Sequence, residues 1–351
     1  MKRKFIYFCI PFFCAAPLFT ACMAPREEAA VLTNRASANA EPAVVQLDNR
    51  EGEAVSADPH NVMLIIADDY GVDMAALYNS GAELPPTPNI DALFDDGVLF
   101  ENGWTNPICT PTRAAMLTGR YGFRTGVGQV LSNSDVGLQL SEFTLPEAIS
   151  AGSPLTYTHA NIGKWHLSTQ ANGGRNNPNL AGYDHFSGLL RGGLSDYNSY
   201  SKVVNGSAIT VTNYATTETV DDAITWLDEQ NQQDKPWFLW LAFNAPHSPF
   251  HLPPTDLHSY DSLNPTGEDS YDYYKAMVEA MDTEIGRMLG ALPADVRANT
   301  TVIFIGDNGS PGQVIQAPLT SNHAKGSVYD GGVNCPIDYL WSKSDRRGQK
   351  V

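Results

Sequence analysis

His60-Asn61-Val62-Met63-Leu64-Ile65-Ile66-Ala67-Asp68-Asp69-Tyr70-Gly71 carries the first decision about the fold. From Val62 to Ala67 every residue is apolar, with no alternation. A strand with one wet face alternates, so a continuous run suits a strand buried on both faces of a parallel sheet. The run stops at two carboxylates. In open α/β sheets, ligands bind at the carboxyl ends of strands, so the same segment raises a site. Adjacent side chains on a regular strand point to opposite faces. Asp68 and Asp69 can serve one site only if the chain turns at Asp69, and Tyr70-Gly71 permits that.

The pattern recurs along the chain. Trp237 to Phe243 reads as a second buried strand, ending at Asn244-Ala245-Pro246-His247. Thr301 to Gly306 reads as a third, ending at Asp307-Asn308, and Leu155 to Ile162 as another. Helices fall between them. Thr87 is placed to cap one that opens at Pro88. Thr110-Pro111 opens the next, Thr112 to Leu117, which stops near Gly119. Thr144 to Ala151 and Thr216 to Gln232 follow, the latter with Val220, Ile224 and Leu227 at helical spacing. Tyr271 to Leu292 is a long helix that turns Met277, Met281, Ile285 and Met288 to the core. Strands alternating with helices predict an α/β fold, a mostly parallel sheet sandwiched by helices.

Composition narrows the function. The 351 residues are 42% hydrophobic and 17% charged, which is globular and excludes a disordered chain. No internal repeat is present, which excludes fibrous and solenoid architectures. A net charge of -17 argues against a nucleic-acid partner. An anionic substrate must then meet a local cationic pocket, because the global field repels it. Residues 1–22 place Lys2, Arg3 and Lys4 before an apolar stretch from 5 to 19, the pattern of a signal peptide, too short for a mature membrane span. Leu18-Phe19-Thr20-Ala21-Cys22 is lipobox-like, although Phe19 stands where an aliphatic residue is usual. The expectation is an exported protein, a periplasmic or outer-membrane lipoprotein of a bacterium, with simple secretion as the alternative. The N-terminal lipid would be its one link to a membrane. Residues 23–59 read as a flexible tether, and 60–351 as the catalytic domain. Beyond Cys9 and Cys14 of the signal, Cys22, Cys109 and Cys335 are too few and too scattered for a disulfide framework.

Asp68, Asp69, Asp307 and Asn308 are hard oxygen donors without a neighbouring His or Cys, which favours one Ca²⁺ or Mg²⁺ ion over zinc. A lone Asp-Asp pair is commonly a cap or a loop; pairs at two strand ends shift the balance toward a ligand set. Cys109 sits just before a helix start, where the helix dipole favours an anion, and Arg113 in the first turn can reach back to it. On these residues alone Cys109 is an activated thiolate, part of an anion pocket, or a partly buried structural cysteine.

Cys109-Thr110-Pro111-Thr112-Arg113, continuing as Ala114-Ala115-Met116-Leu117-Thr118-Gly119-Arg120, resembles the signature of the type I sulfatases. These are formylglycine-dependent, arylsulfatase-like members of the alkaline-phosphatase-like superfamily. Further blocks resemble that family in order: Asn61 to Asp69 with Gly71, Gly163-Lys164-Trp165-His166, Pro246-His247-Ser248-Pro249, Ile305 to Gly309, and Lys325 to Gly332. The resemblance covers about 60 to 337. It implies hydrolysis of carbohydrate or aryl sulfate esters to alcohol and inorganic sulfate. It implies that Cys109 is oxidised to formylglycine by a formylglycine-generating enzyme, and that the aldehyde hydrate is the nucleophile. Asp68, Asp69, Asp307 and Asn308, with the modified Cys109, would hold the Ca²⁺ or Mg²⁺ ion. Arg113 and Lys164 would hold the formylglycine hydroxyls and metal-bound oxygens. Lys325 and His166 would contact the sulfate. His247 would protonate the leaving alcohol, and His166 would take a proton from the second hydroxyl. The partner would be a sulfated small molecule or glycan. Two alternatives are a phosphonate or phosphodiester hydrolase of the same superfamily, and an inactive remnant that only binds anions.

Other residues read as ordinary. Lys202, Lys235 and Lys275 are expected to be solvated surface charges, and Trp165 a packing residue. His159, His185, His251 and His258 carry no claim; His323, near Lys325, is a candidate substrate contact. The Gly-rich, polar stretch from Phe186 to Asn198 is expected to form a pocket wall. The resemblance also implies a small C-terminal subdomain. After Trp341 the sequence turns basic and loses its apolar pattern, so a truncated catalytic domain with an exposed apolar face is expected.

Overall fold

The run Asn61–Ala67 is strand β1, at the middle of a sheet in a computed structural model that describes residues 60–78, 83–132, 134–233, 235–264, 270–340 and 349–350. The signal segment 1–22, the tether 23–59 and the basic stretch 341–348 lie outside the described residues. The other strands are β2 (Val98–Leu99), β3 (Thr158–Lys164), β4 (His185–Leu189), β5 (Tyr200–Val204), β6 (Ser207–Val211), β7 (Trp237–Ala242), β8 (Thr300–Gly306), β9 (Ile337–Leu340) and β10 (Gln349–Lys350). They lie in the order β10-β2-β9-β8-β1-β7-β3-β4-β5-β6. β8, β1, β7, β3 and β4 pair in parallel. β9 on one side, and β5 with β6 on the other, run antiparallel to their neighbours.

The central strands are buried on both faces because their alternate residues enter two cores. Met63, Ile65 and Ala67 join one cluster with Ile90, Phe94, Val220, Met277, Met281 and Met288. Leu64 and Ile66 join the other with Ala114, Leu117, Trp165 and Trp240. The helices Pro88–Asp96, Ala215–Gln230 and Ser270–Ala291 supply the first cluster, and Cys109–Thr118 contributes to the second. The fold is thus the α/β sandwich that the alternation predicts. Among the described residues, no helix is long and apolar enough to cross a membrane.

Several local expectations change. The strand expected over Leu155 to Ile162 runs instead over Thr158–Lys164, in register with β7 and β4. Thr87 does not cap its helix. Its hydroxyl donates to Asp91, and the helix's free N–H groups are taken by Asp282, which accepts from Ile90 N at 2.7 Å and Asn89 N at 3.2 Å. Lys202 and Lys275 are buried rather than solvated. Lys202 pairs with Glu218 and Asp222, and Lys275 with Asp272. Trp165 is a packing residue, its indole N–H satisfied by Asn177 at 2.7 Å.

Asp282 gives the fold a pH signature. Burial pushes its carboxyl up from 3.8 to about 6, against the hydrogen bonds from Ile90 and Asn89. Its folded pKa therefore lies above its unfolded value, so its contribution to stability declines as pH rises from about 4 through about 6. The difference in Tm between the wild type and Asp282→Asn is expected to shrink across that window. A constant difference between pH 4 and pH 7 would count against the assignment.

Candidate active site

The carboxyl ends of β1, β3, β7 and β8 place the candidate residues together. After β1 the chain turns where it must. Asp69 has φ 71°, a left-handed conformation that is strained for a side chain larger than glycine. The turn lets Asp68 and Asp69 approach one locus. Tyr274, on the Ser270–Ala291 helix, donates its hydroxyl to Asp69 O at 2.7 Å and holds the turn from behind. From β8, Asp307 accepts from Asp69 N at 3.2 Å, and the Asn308 amide donates to Asp69 Oδ1 at 2.7 Å. A third tie crosses the same loops. Ser310 donates to Asp73 at 2.8 Å and accepts from Gly71 N at 3.2 Å.

Cys109 is the first residue of its helix rather than the residue before it, and Arg113 lies four residues on, in the second turn. Both project to the same helix face. Arg113 is fully buried and makes a bidentate pair with Asp307 Oδ2, Nε at 2.9 Å and Nη2 at 2.7 Å. Its Nη1 donates to Lys164 O at 2.7 Å, which fixes the end of β3. Lys164, also fully buried, donates to Asp68. Lys325 donates to Asp69 Oδ1 at 2.5 Å. Three carboxylates thus meet three cations, so the site is locally balanced inside a chain of net charge -17.

These contacts set the protonation states. Burial raises the Asp68 carboxyl, but Lys164, His247 and Arg113 outweigh it and hold it well below the usual carboxylate range. Burial lowers Lys325, but Asp69 and Asp68 outweigh it and the ammonium is held more strongly than usual. Burial, then Lys164 and Arg113, pull His166 down from 6.5 to about 2, so its ring is neutral near pH 7. Burial pushes the Cys109 thiol up; Asp68 and Asp307 add to this, against Lys164 and Arg113. On balance these surroundings disfavour the thiolate, which weighs against the activated-thiolate reading.

Two histidines stand over the cluster. His166, with φ 62°, puts Nδ1 3.2 Å from Cys109 Sγ and 3.2 Å from Thr110 Oγ1. His247 places Nε2 3.9 Å from Asp69 Oδ2 and donates Nδ1–H to Ser248 O at 2.8 Å. Tyr197 donates to the carbonyls of Asn244 and His247, at 2.8 and 2.6 Å, and fixes that loop. Gly192 and Gly193 pack against the two rings. A Cβ on Gly192 would lie 2.3 Å from His166 Cε1, and one on Gly193 3.1 Å from His247 Cε1. Within the stretch expected to form a pocket wall, these glycines lie on the site. His323 instead stacks on Tyr329, ring centroids 3.8 Å apart, on the surface.

The donor set suits a hard dication. Asp68 Oδ1 and Asn308 Oδ1 are buried and accept no hydrogen bond from a described residue. One ligand atom each from Asp68, Cys109 and Asp307 lies within 4.8 Å of the others, and so do those of Asp68, Asp69 and His247. An oxygen at the Cys109 position would complete an all-oxygen set, the kind that Ca²⁺ and Mg²⁺ take.

Tyr274, Asp73, Ser310 and Thr110 escaped the sequence reading as parts of the site, and Tyr197 entered it only as part of the expected pocket wall. Tyr274 did leave a signal: it shares the helical stripe of Met277 and Met281, whose face meets the sheet.

Comparison with known proteins bears on this arrangement. A family model described as Sulfatase matches residues 60–347. The chain is 33% identical over 285 residues to "Uncharacterized sulfatase YdeN" of Escherichia coli (strain K12), covering 73% of this chain and 49% of that one. It is 30% identical over 267 residues to the ulvan-active sulfatase of Formosa agariphila, covering 71% and 50% respectively. The chain thus spans about half the length of these curated relatives. Among solved structures, Ps i-CgsB in complex with k-i-k-neocarrahexaose superposes with a TM-score of 0.72 at 28% identity, covering 83% of this chain and 68% of that one. The phosphonate monoester hydrolase of Agrobacterium radiobacter shares the fold, with a TM-score of 0.56 at 20% identity over 83% of this chain and 70% of that one.

Proposed function

Because the chain belongs to the sulfatase family, we infer that it hydrolyses sulfate esters of carbohydrates or aryl alcohols, using Cys109 converted to formylglycine and a bound Ca²⁺ or Mg²⁺ ion. The observation that carries this reading is the position of Cys109. Its sulfur lies within 4.8 Å of ligand oxygens of Asp68 and Asp307, and 3.2 Å from a ring nitrogen of His166. An oxygen nucleophile at that position meets a ligand set, two cations and the His166 ring.

Asp68, Asp69, Asp307 and Asn308 would hold the ion, with their two unpaired buried oxygens available to it. When bound, the ion supplies Lewis-acid polarisation of the sulfate oxygens and of the nucleophile. The chain's own groups do the rest. Lys325 and His166 face the sulfate, while Arg113 and Lys164 hold the reacting oxygens at the foot of the helix. His166, whose Nδ1 lies 3.2 Å from Cys109 Sγ, is placed to accept a proton from the nucleophile's hydroxyl. His247 delivers a proton to the departing alcohol through Nε2, because Nδ1–H is engaged by Ser248 O. An alkoxide leaves poorly near neutral pH, so this proton governs release. Cys109 is 3% exposed, which supports its oxidation by a formylglycine-generating enzyme before the chain closes around it. The signal read at residues 1–22 supports export, to the periplasm or as a lipoprotein of the outer membrane.

The test is sulfate release from aryl and glycan sulfates after co-production with a formylglycine-generating enzyme, with mass analysis of the peptide that holds Cys109. A converted residue without sulfate release would overturn the reading, and parallel assay of an aryl phosphodiester separates it from phosphodiester hydrolysis. The ion has its own readout. Chelation is expected to abolish turnover and lower Tm, and Ca²⁺ or Mg²⁺ at 100-fold its Kd is expected to restore about 2.7 kcal/mol of stability. A Tm indifferent to chelator and to both ions would exclude a resident cation.

A further inference from the structure

Beside the site, beyond the ends of β3 and β4, lies a cleft of about 270 Å³ bordered by Ser168, Thr169, Gln170, Arg175, Arg191 and Ser201 among others. Its position follows from the strands. Lys164 pairs with Leu189 across β3 and β4, and Trp165 N donates to Leu189 O at 2.8 Å. Ser168 and Thr169 follow His166 by two and three residues. Arg191 immediately precedes Gly192, which lies against the His166 ring. No reacting group lines the cleft, but Arg191 and Ser168 on its border lie one residue from Gly192 and two from His166, respectively, which ties it to the site through the chain.

Its chemistry differs from that of the surrounding chain. The chain has 39 acidic against 22 basic residues, yet no carboxylate lines this cleft and two arginines do. Arg120 pairs with Glu142 and Arg287 with Asp221 and Glu284, while Arg124 and Arg297 are exposed and form no ion pair with a described carboxylate. Arg175 and Arg191 are exposed and pair with no described carboxylate. The Ser168 hydroxyl is spent on Gly174 O and that of Thr169 on Val136 O, so the free donors are chiefly the two guanidinium groups and the Gln170 amide. Guanidinium forks suit planar or tetrahedral oxyanions. The volume falls just short of the ~300–1,000 Å³ of pockets for drug-sized ligands, a fit for a unit about the size of one sugar.

We propose that this cleft is a second anion subsite, in which Arg175 and Arg191 take a sulfate or carboxylate carried by the sugar next to the one bearing the scissile ester. The proposal rests on the sulfatase reading above and sharpens it: the substrate is a polyanionic glycan rather than an isolated sulfate ester. A chain of this net charge repels such a glycan at a distance, and two unpaired arginines beside the site supply the local attraction that offsets it.

The test is equilibrium binding to the Cys109→Ala chain, which separates recognition from turnover. Three disaccharide probes are titrated: one with a single sulfate, one with a sulfate on each sugar, and one with a sulfate on one sugar and a uronic carboxylate on the other. The disulfated probe, the uronate probe or both are expected to bind about 10-fold more tightly than the monosulfated one, and which of them does so identifies the second anion. In Arg175→Gln/Arg191→Gln the advantage is expected to vanish while affinity for the monosulfated probe holds. Both side chains are exposed and without a described carboxylate partner, so an unchanged Tm is expected to accompany the change. Equal affinity for all three probes, or an advantage that survives in the double variant, would overturn the subsite. A failure of the sulfatase reading shows separately, as a converted Cys109 chain that releases no sulfate from any probe.

Discussion

Cys109→Ala is expected to reduce sulfate release by at least about 10⁴-fold, the scale on which removal of a nucleophile acts, while leaving the fold intact. The side chain is buried at the first position of its helix, where alanine is sterically acceptable, and only the sulfur is lost. Tm is therefore expected to fall by no more than a few degrees, the effect of ~1 kcal/mol. Cys109→Ser is the sharper companion. It keeps an oxygen at the ligand position and can preserve ion binding, yet it offers no aldehyde hydrate and should remain near the alanine level in turnover. Substantial activity in either variant would mean that the nucleophile lies elsewhere, and the placement of His166 would lose its rationale.

Arg113→Met is expected to give the largest loss of stability of any single change at the site. The substitution keeps much of the side chain's bulk but leaves Asp307 buried without its bidentate partner and removes the donor to Lys164 O. Breaking one half of a buried pair costs about 3–5 kcal/mol, which corresponds to a fall in Tm of ~10 °C for a domain of this size. The second half of the experiment is decisive. Replacing the other partner as well, in Arg113→Met/Asp307→Leu, is expected to recover much of the stability, since an apolar pair can substitute for a buried ionic one. Activity is not expected to return, because Asp307 belongs to the ligand set and Arg113 to the anchoring of reacting oxygens. A double variant as unstable as the single one would show that the pair's role is not electrostatic.

The parts of the fold legible in the sequence were those written in uninterrupted apolar runs. β1, β7 and β8 are such runs, and their polar ends marked the site before any contact was known. The turn at Asp69 was legible for the same reason, since two adjacent carboxylates share a locus only through it. β4, β5 and β6 were not. β6 is exposed along most of its length and β4 carries a serine and a glycine, so neither shows a hydrophobic period. Lys202 and Lys275 misled because the burial of a lysine depends on acids from distant or neighbouring turns, which a single-residue prior cannot register. The same holds for the cap supplied by Asp282, which lies 192 residues from Ile90. Around the site, the residue types and their order pointed to the chemistry, but the supports did not declare themselves. Tyr274, Tyr197 and the Asp73–Ser310 tie act through contacts that the linear chain does not display.

The two glycines against the histidine rings divide the loop into positions with opposite freedoms. At 192 any β-carbon collides with the imidazole of His166, and at 193 one would press on His247. Neither site tolerates much variety without disturbing proton transfer. Position 191, a single residue upstream, is exposed and lines the neighbouring cleft. A library randomised at 191 and 175 is therefore expected to redirect which glycans are accepted at constant chemistry, whereas one that includes 192 displaces the His166 ring in every clone that gains a side chain there. The loop behaves as an adjustable dial mounted on a fixed bearing, and selection for new substrates should leave its marks on the dial alone.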